Sequence, residues 1–312
     1  MPPANRHEPK RAKSSDSDYS VTEFLAEFPD DAACLEHLWR SRYSEDGEHA
    51  ECPKCEKVRV FKRYKTKQGR QSWTCTGCGH HVHPTAGTIF HKSSTSLRLW
   101  FHAIYLMTST RCGISAKQLE RELGVHYKTA WRMFNKIRSE LMADDDSEQL
   151  QGEVEVDETA WGGKARKKMD RWEAARFREN KTTILGMVER KGRIRFRIIP
   201  SRRGEPLSEA VRTHVNPDAF LLTDDWAAYK PLRHEYEHGV ISHSIGSYVN
   251  GNLHTNTIEG AFGNLKTGMR GTYKHVSDKY LQSYLDEYAW RYNHRNNRRR
   301  AMFHELLAEA AK

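Results

Sequence analysis

Two Cys-x-x-Cys pairs, Cys52-Pro53-Lys54-Cys55 and Cys75-Thr76-Gly77-Cys78, constrain this chain more than any other feature. Each pair offers two thiolates from one tight turn, and tetrahedral Zn2+ takes four such ligands. Between the pairs, residues 58–64 and 70–74 alternate like strands. Two knuckles joined by a short hairpin make a zinc ribbon. A unit this small buries too little surface to fold without its metal. His80, His81 and His83 follow closely and are alternative ligands, although the four cysteines already complete the shell. Paired Cys-x-x-Cys units argue for metal in a reducing compartment rather than for disulfides. The other two cysteines, Cys34 and Cys112, read as packed thiols.

The sequence carries a net charge of +10 over 312 residues. That excess favours a polyanionic partner, nucleic acid first. Residues 1–20 are rich in Pro, Ser, Lys and Arg and read as a disordered basic tail. They hold no apolar stretch of the kind a secretory signal needs, and no run approaches the ~20 apolar residues that span a bilayer. Residues 21–43 form a helix pair carrying Phe24, Phe28, Leu35, Leu38 and Trp39, broken at Pro29-Asp30-Asp31. Residues 96–107 form a strongly apolar helix. Ser115 caps the next one, Gly124 turns the chain, and a further helix carries Ala130, Met133, Phe134 and Ile137. This spacing predicts a helix-turn-helix, whose second helix enters the DNA major groove. His126, Tyr127, Lys128 and Arg132 are then the candidate DNA contacts; an ordinary helical hairpin has the same apolar pattern. Residues 142–151, with Asp144-Asp145-Asp146, read as a solvated linker.

Beyond the linker the period changes. Residues 153–158, 182–189, 193–200, 219–224 and 240–245 read as strands, and residues 205–214, 255–268, 277–295 and 301–311 as helices. This order predicts an α/β fold with an RNase H-like mixed sheet and helices on its faces. In that arrangement the first and fourth strands are neighbours. Asp157 and Asp224 would meet there, with Glu259 descending from a helix across them. Lys266 follows Glu259 by seven residues, nearly two turns, and so shares its helix face. Shared carboxylates are what a pair of divalent ions in phosphoryl transfer requires. Glu155, Glu158 and Asp225 are nearby alternatives, Glu155 because period two puts it on the strand face of Asp157. Lys164, Arg166, Lys167 and Lys168 begin a basic insertion after the first strand. With Lys266, Arg270, Lys274 and Arg298 to Arg300, they extend a surface suited to DNA phosphates.

At these residues the chain resembles a DDE transposase of the insertion-sequence 1595 family. The matching stretches are the two Cys-x-x-Cys pairs, Gly87-Thr88-Ile89-Phe90, residues 114–131, Glu155-Val156-Asp157-Glu158, Thr223-Asp224 with Tyr229, and residues 254–266 and 284–293. The chain then divides into a tail (1–20), N-terminal helices (21–48), a zinc ribbon (49–92), a helix-turn-helix domain (93–142) and a catalytic domain (150–312), the last three being what the resemblance implies. It implies a catalytic set of Asp157, Asp224, Glu259 and Lys266. The third position is Asn or His in some relatives, and Asn256 keeps a claim to it here. Mg2+ is the implied catalytic ion, Mn2+ its substitute, and Zn2+ the structural one. The implied activity is cleavage at the ends of an insertion sequence, followed by attack of the freed 3′-OH on target DNA. Such a protein would act on DNA in the cytoplasm, associated with the nucleoid, as a dimer or higher oligomer. Two rivals are a host-adopted DNA-binding protein that keeps only the recognition half, and an RNase H-like nuclease that cuts without joining.

Overall fold

In the computed structural model, residues 18–65, 71–144, 146–162, 170, 172–173, 181–241 and 255–312 are described. The chain divides into two compact units, residues 1–141 with 295–312, and residues 142–294.

The first unit opens with α1 (Val21–Glu27) and α2 (Asp31–Arg42). Ser20 and Glu23 form a reciprocal capping box at the start of α1. A four-stranded antiparallel sheet follows in the order β1 (His49–Glu51), β2 (Val58–Lys65), β3 (Gln71–Cys75) and β4 (His81–Val82). Its small core is closed by Trp39 of α2, which stacks on Trp73 with ring centroids 5.0 Å apart. Phe61, Val82, Cys52 and Cys75 pack in the same cluster. Then come α3 (Leu97–Ser109), α4 (Ala116–Leu123) and α5 (Tyr127–Lys136). Ser115 accepts the Gln118 N–H at 3.1 Å, and Gly124 ends α4 with φ +62°, the left-handed conformation that a helix stop favours.

Two features of this unit differ from the sequence reading. The last helix (Arg299–Ala310) follows the second unit in sequence yet packs in the first unit. Its Phe303 meets Tyr19, Phe24, Phe28 and Tyr105, because its buried stripe of Met302, Phe303, Leu306 and Leu307 fits the core made by α1 and α3. Cys34 is buried as expected, but Cys112 is exposed, just past the apolar end of α3.

The second unit is built on a five-stranded sheet in the order β7-β6-β5-β8-β9. Its strands are β5 (Glu153–Trp161), β6 (Thr182–Glu189), β7 (Ile194–Ile199), β8 (Phe220–Asp224) and β9 (Glu237–Ile241). β5, β6 and β7 are antiparallel, whereas β8 runs parallel to β5 and to β9. The first and fourth strands are thus neighbours. The last strand starts three residues earlier than expected, and the end of the expected 240–245 strand lies outside the described residues. Alternation along the strands makes two cores. Val154, Val156, Leu185 and Met187 face α6 (Glu205–His214) through Leu207 and Val211. Ile184, Val188 and Phe196 face α7 (Asn256–Gly268) and α8 (Asp278–Asn293) through Ile258, Phe262, Leu265, Leu281 and Leu285.

The acidic run is not a solvated linker. Asp144 takes Arg195 at 2.9 Å and Arg197 at 3.1 Å, and Asp146 lies 3.5 Å from His214 Nδ1. The arginines of β7, 4% and 14% exposed at their side chains, neutralise charges that the sequence alone leaves to water.

Candidate functional site

The register of the parallel pair places the two aspartates together. Glu155 pairs with Leu222, and two residues further along each strand are Asp157 and Asp224. Neighbouring strands lie about 4.8 Å apart. Both carboxylates are half-buried at the C-terminal end of β8 and beside it. Asp224 Oδ1 accepts the Trp226 N–H at 3.0 Å, and Asp157 Oδ1 accepts the Glu158 N–H at 2.8 Å. Burial pushes the Asp157 carboxyl up to about 7, helped by the negative charges of Glu158, Asp224 and Glu259. Glu158 is raised as well, chiefly by burial, and is held by the Tyr229 hydroxyl at 2.8 Å.

The helix supplies the other two residues. Glu259 lies in the first turn of α7, exposed, and accepts the Thr255 hydroxyl at 3.3 Å. Lys266 is half-buried and donates to the Thr159 hydroxyl of β5. Burial lowers its ammonium and Arg270 adds to that, while the Asp157 charge opposes it. The structure therefore brings Asp224 and Glu259 into electrostatic range of Asp157, with one lysine reaching the same strand. The ligand atoms of Asp157, Asp224 and Glu259 do not all lie within 4.8 Å of one another. Among the described residues, the group of ligand atoms lying within 4.8 Å of one another is the four cysteines.

Of the alternatives, Asp225 is exposed and Asn256 is exposed at the first position of α7. Glu155 is fully buried, its carboxylate taken up by Arg190, Thr257 and Ile258. Tyr229, part of a stretch that carries the resemblance, is buried and donates to Glu158. Two residues near the acids had no sequence signal that singled them out, Trp226 and Arg202, the guanidinium 5.3 Å from an indole that is 37% exposed.

The raised Asp157 carboxyl has a testable consequence. Between the unfolded value of 3.8 and about 7, the folded state binds a proton that the unfolded state has lost. Linkage then makes stability fall as pH rises through that window. Without added Mg2+, Asp157→Asn should raise the melting temperature at pH 8 and leave it unchanged at pH 4. Calorimetry of the two proteins at both pH values checks this; equal shifts at pH 4 and 8 would remove Asp157 from the crowded acidic site.

The first unit holds the other centre. Cys52 and Cys78 sulfurs are 3.5 Å apart, and those of Cys55 and Cys75 are 4.0 Å apart. A tetrahedron of ~2.3 Å Zn–S bonds has edges of about 3.8 Å, so the set fits zinc. Burial opposes ionisation of Cys52, but the N–H groups of Cys55 and Lys54 bring its thiol down to about 6, toward the thiolate a metal needs. His126, Tyr127, Lys128 and Arg132 are all exposed at the start and along one side of α5. His126 is the cap rather than a helical residue, its Nδ1 accepting the Lys128 N–H at 3.2 Å. Arg270 and Lys274 are exposed and line a cavity of about 600 Å3 with Trp161 and His275. Lys164, Arg166, Lys167 and Lys168 lie outside the described residues. No helix among the described residues is long and apolar enough to cross a membrane.

Residues 149–293 match the family model of the ISXO2-like transposase domain. Over that segment, within the second unit, the chain is similar to the insertion-sequence 1595 group that it resembles. It is also 28% identical over 248 residues to a protein of Halobacterium salinarum described as an uncharacterized protein in transposable element ISH50, covering 75% of this chain and 82% of that relative. No solved structure matches the chain.

Proposed function

We propose that this protein is a DDE transposase that cleaves at the ends of an insertion sequence and transfers the 3′-OH ends into target DNA. The observation that carries the reading is the meeting of Asp157 and Asp224 on adjacent strands, with Glu259 and Lys266 brought over them by one helix. The strand order, with three antiparallel strands followed by two parallel ones, supports an RNase H-like catalytic unit. Asp157, Asp224 and Glu259 would hold Mg2+, or Mn2+ in its place. A carboxyl raised by burial and by neighbouring acidic charge, as Asp157 is, suits divalent cations. Bound there, the ions would supply Lewis acidity to the attacking and leaving oxygens. Lys266 would hold a DNA phosphate beside the scissile bond.

The four cysteines would hold structural zinc. α4 and α5 fit a helix-turn-helix, with His126, Tyr127, Lys128 and Arg132 toward the major groove. Lys164, Arg166, Lys167, Lys168, Arg270 and Lys274 would neutralise phosphates. Pairing two element ends calls for at least a dimer on DNA, in the cytoplasm and at the nucleoid.

The deciding experiment uses DNA carrying the gene's own flanks, with Mg2+, comparing wild type with Asp224→Asn. The expected result is nicking and joining by wild type, and at least a thousandfold loss in the variant with end binding retained. End binding without cleavage by either protein would favour an adopted DNA-binding protein. Cleavage without joining would favour a nuclease.

A further inference from the structure

We infer that Glu155 is a positioning residue that ties the start of α7 to β5 and so sets where Glu259 and Lys266 stand against Asp157. The inference rests on the catalytic reading above for what the positioned residues do, but the tie itself rests on geometry. A helix begins with N–H groups that have no partner inside it. Thr255, the cap residue of α7, makes no side-chain cap bond. The strand supplies the cap instead. Glu155 Oε2 accepts the Thr257 N–H at 2.9 Å and the Ile258 N–H at 3.1 Å, and Oε1 accepts the Thr257 hydroxyl at 2.9 Å. Oε1 also takes Arg190 Nε at 2.9 Å. The side chain is 0% exposed. A carboxylate at a helix N-terminus is favoured by the helix dipole as well as by these bonds.

The same strand face carries a second tie. Residues 155, 157 and 159 alternate onto one side of β5. Glu155 holds the first turn of α7, and Thr159 accepts from Lys266 near its end. The four steps of strand from Glu155 to Thr159 span ~13 Å, and the nine steps of helix from Thr257 to Lys266 span ~13.5 Å. Helix and strand are therefore pinned over equal lengths, with Asp157 midway between the pins. Glu259 stands one residue beyond Ile258, so a shift at the first pin passes straight to it.

The test uses the zinc-loaded full chain as wild type, Glu155→Gln and Glu155→Asp. The first variant keeps the shape but turns one acceptor into a donor facing an N–H; the second shortens the reach by one methylene. Three quantities are measured: hydrogen exchange at the Thr257 and Ile258 amides, Mn2+ affinity by paramagnetic resonance, and joining rate per folded molecule with end-binding affinity. In wild type the two amides should be protected well above an uncapped helix start, a measurement that needs no variant. Glu155→Gln should lose about tenfold in their protection, weaken Mn2+ binding about tenfold and slow joining at least tenfold, with end binding unchanged. A purely structural role would lower only the folded fraction. Unprotected amides in wild type, or unchanged Mn2+ affinity in a folded variant, overturn the inference. So does a loss of Mn2+ binding as complete as in Asp157→Asn, which would make Glu155 a ligand. Should Asp224→Asn join DNA like wild type, the catalytic reading falls, and amide exchange still decides whether the tie exists.

Discussion

Cys75→Ser, or a strong zinc chelator, should unfold the ribbon and abolish binding to the element ends. Binding of structural zinc contributes ~10–16 kcal/mol in small cysteine domains at neutral pH, more than their side chains supply. The core available here is short. Trp39, Phe61, Trp73 and Val82 are its main apolar members, and two of its other buried groups are Cys52 and Cys75 themselves. Without the metal these two thiols fall apart, and β2 loses the partner strand that Cys75 closes, since Phe61 pairs with Cys75. The stacked Trp39 and Trp73 give the readout. Their near-ultraviolet dichroism should vanish on chelation and return when one equivalent of zinc is added, while Cys112→Ser leaves it unchanged. Elemental analysis should find one zinc per chain. A chelator-treated protein that keeps this signal with no metal bound would sink the zinc assignment.

The ribbon was legible because its information is local: two tight turns and an alternating hairpin lie within about thirty residues. The strand aspartates were legible for a similar reason, each sitting on or at the end of a short apolar run that reads as a strand. What the sequence hid depends on partners far along the chain. Period two correctly put Glu155 on the face of Asp157, which made it look like a ligand. Its actual partners are amides 102 and 103 residues later. Asp144 likewise looked solvated because Arg195 and Arg197 stand 51 and 53 residues away. The last helix follows the second unit in sequence, and the aromatic cluster around Phe303 shows that its apolar stripe belongs to the first unit. Local periodicity names a face; it does not name what covers that face.

Gly186 is the clearest case of a residue whose role exists only in three dimensions, and Gly186→Val should be the most damaging single change to the site that touches none of its charges. Gly186 pairs directly with Asp157 across β5 and β6. A Cβ there would lie 2.7 Å from Ile258 Cδ1 and 2.7 Å from Phe262 Cζ. Both side chains are buried, at 0% and 5% exposure, and Phe262 also packs on Phe196, so neither can swing aside into solvent. The missing side chain lets α7 approach the sheet beside Asp157, where the proposed site needs Glu259. Even alanine forces the core to give, at ~1–3 kcal/mol for overpacking. Valine adds two more carbons in the same place. With the helix moved by ~1 Å, joining should fall about a hundredfold through misplacement alone. Partial recovery should follow from trimming the clashing groups, so Gly186→Ala combined with Ile258→Val and Phe262→Leu should join faster than Gly186→Ala alone, although each trim by itself lowers stability. If Gly186→Val melts and joins like wild type, close approach of α7 to the sheet is not what builds the site, and the tie from Glu155 would have to hold the helix at a greater distance.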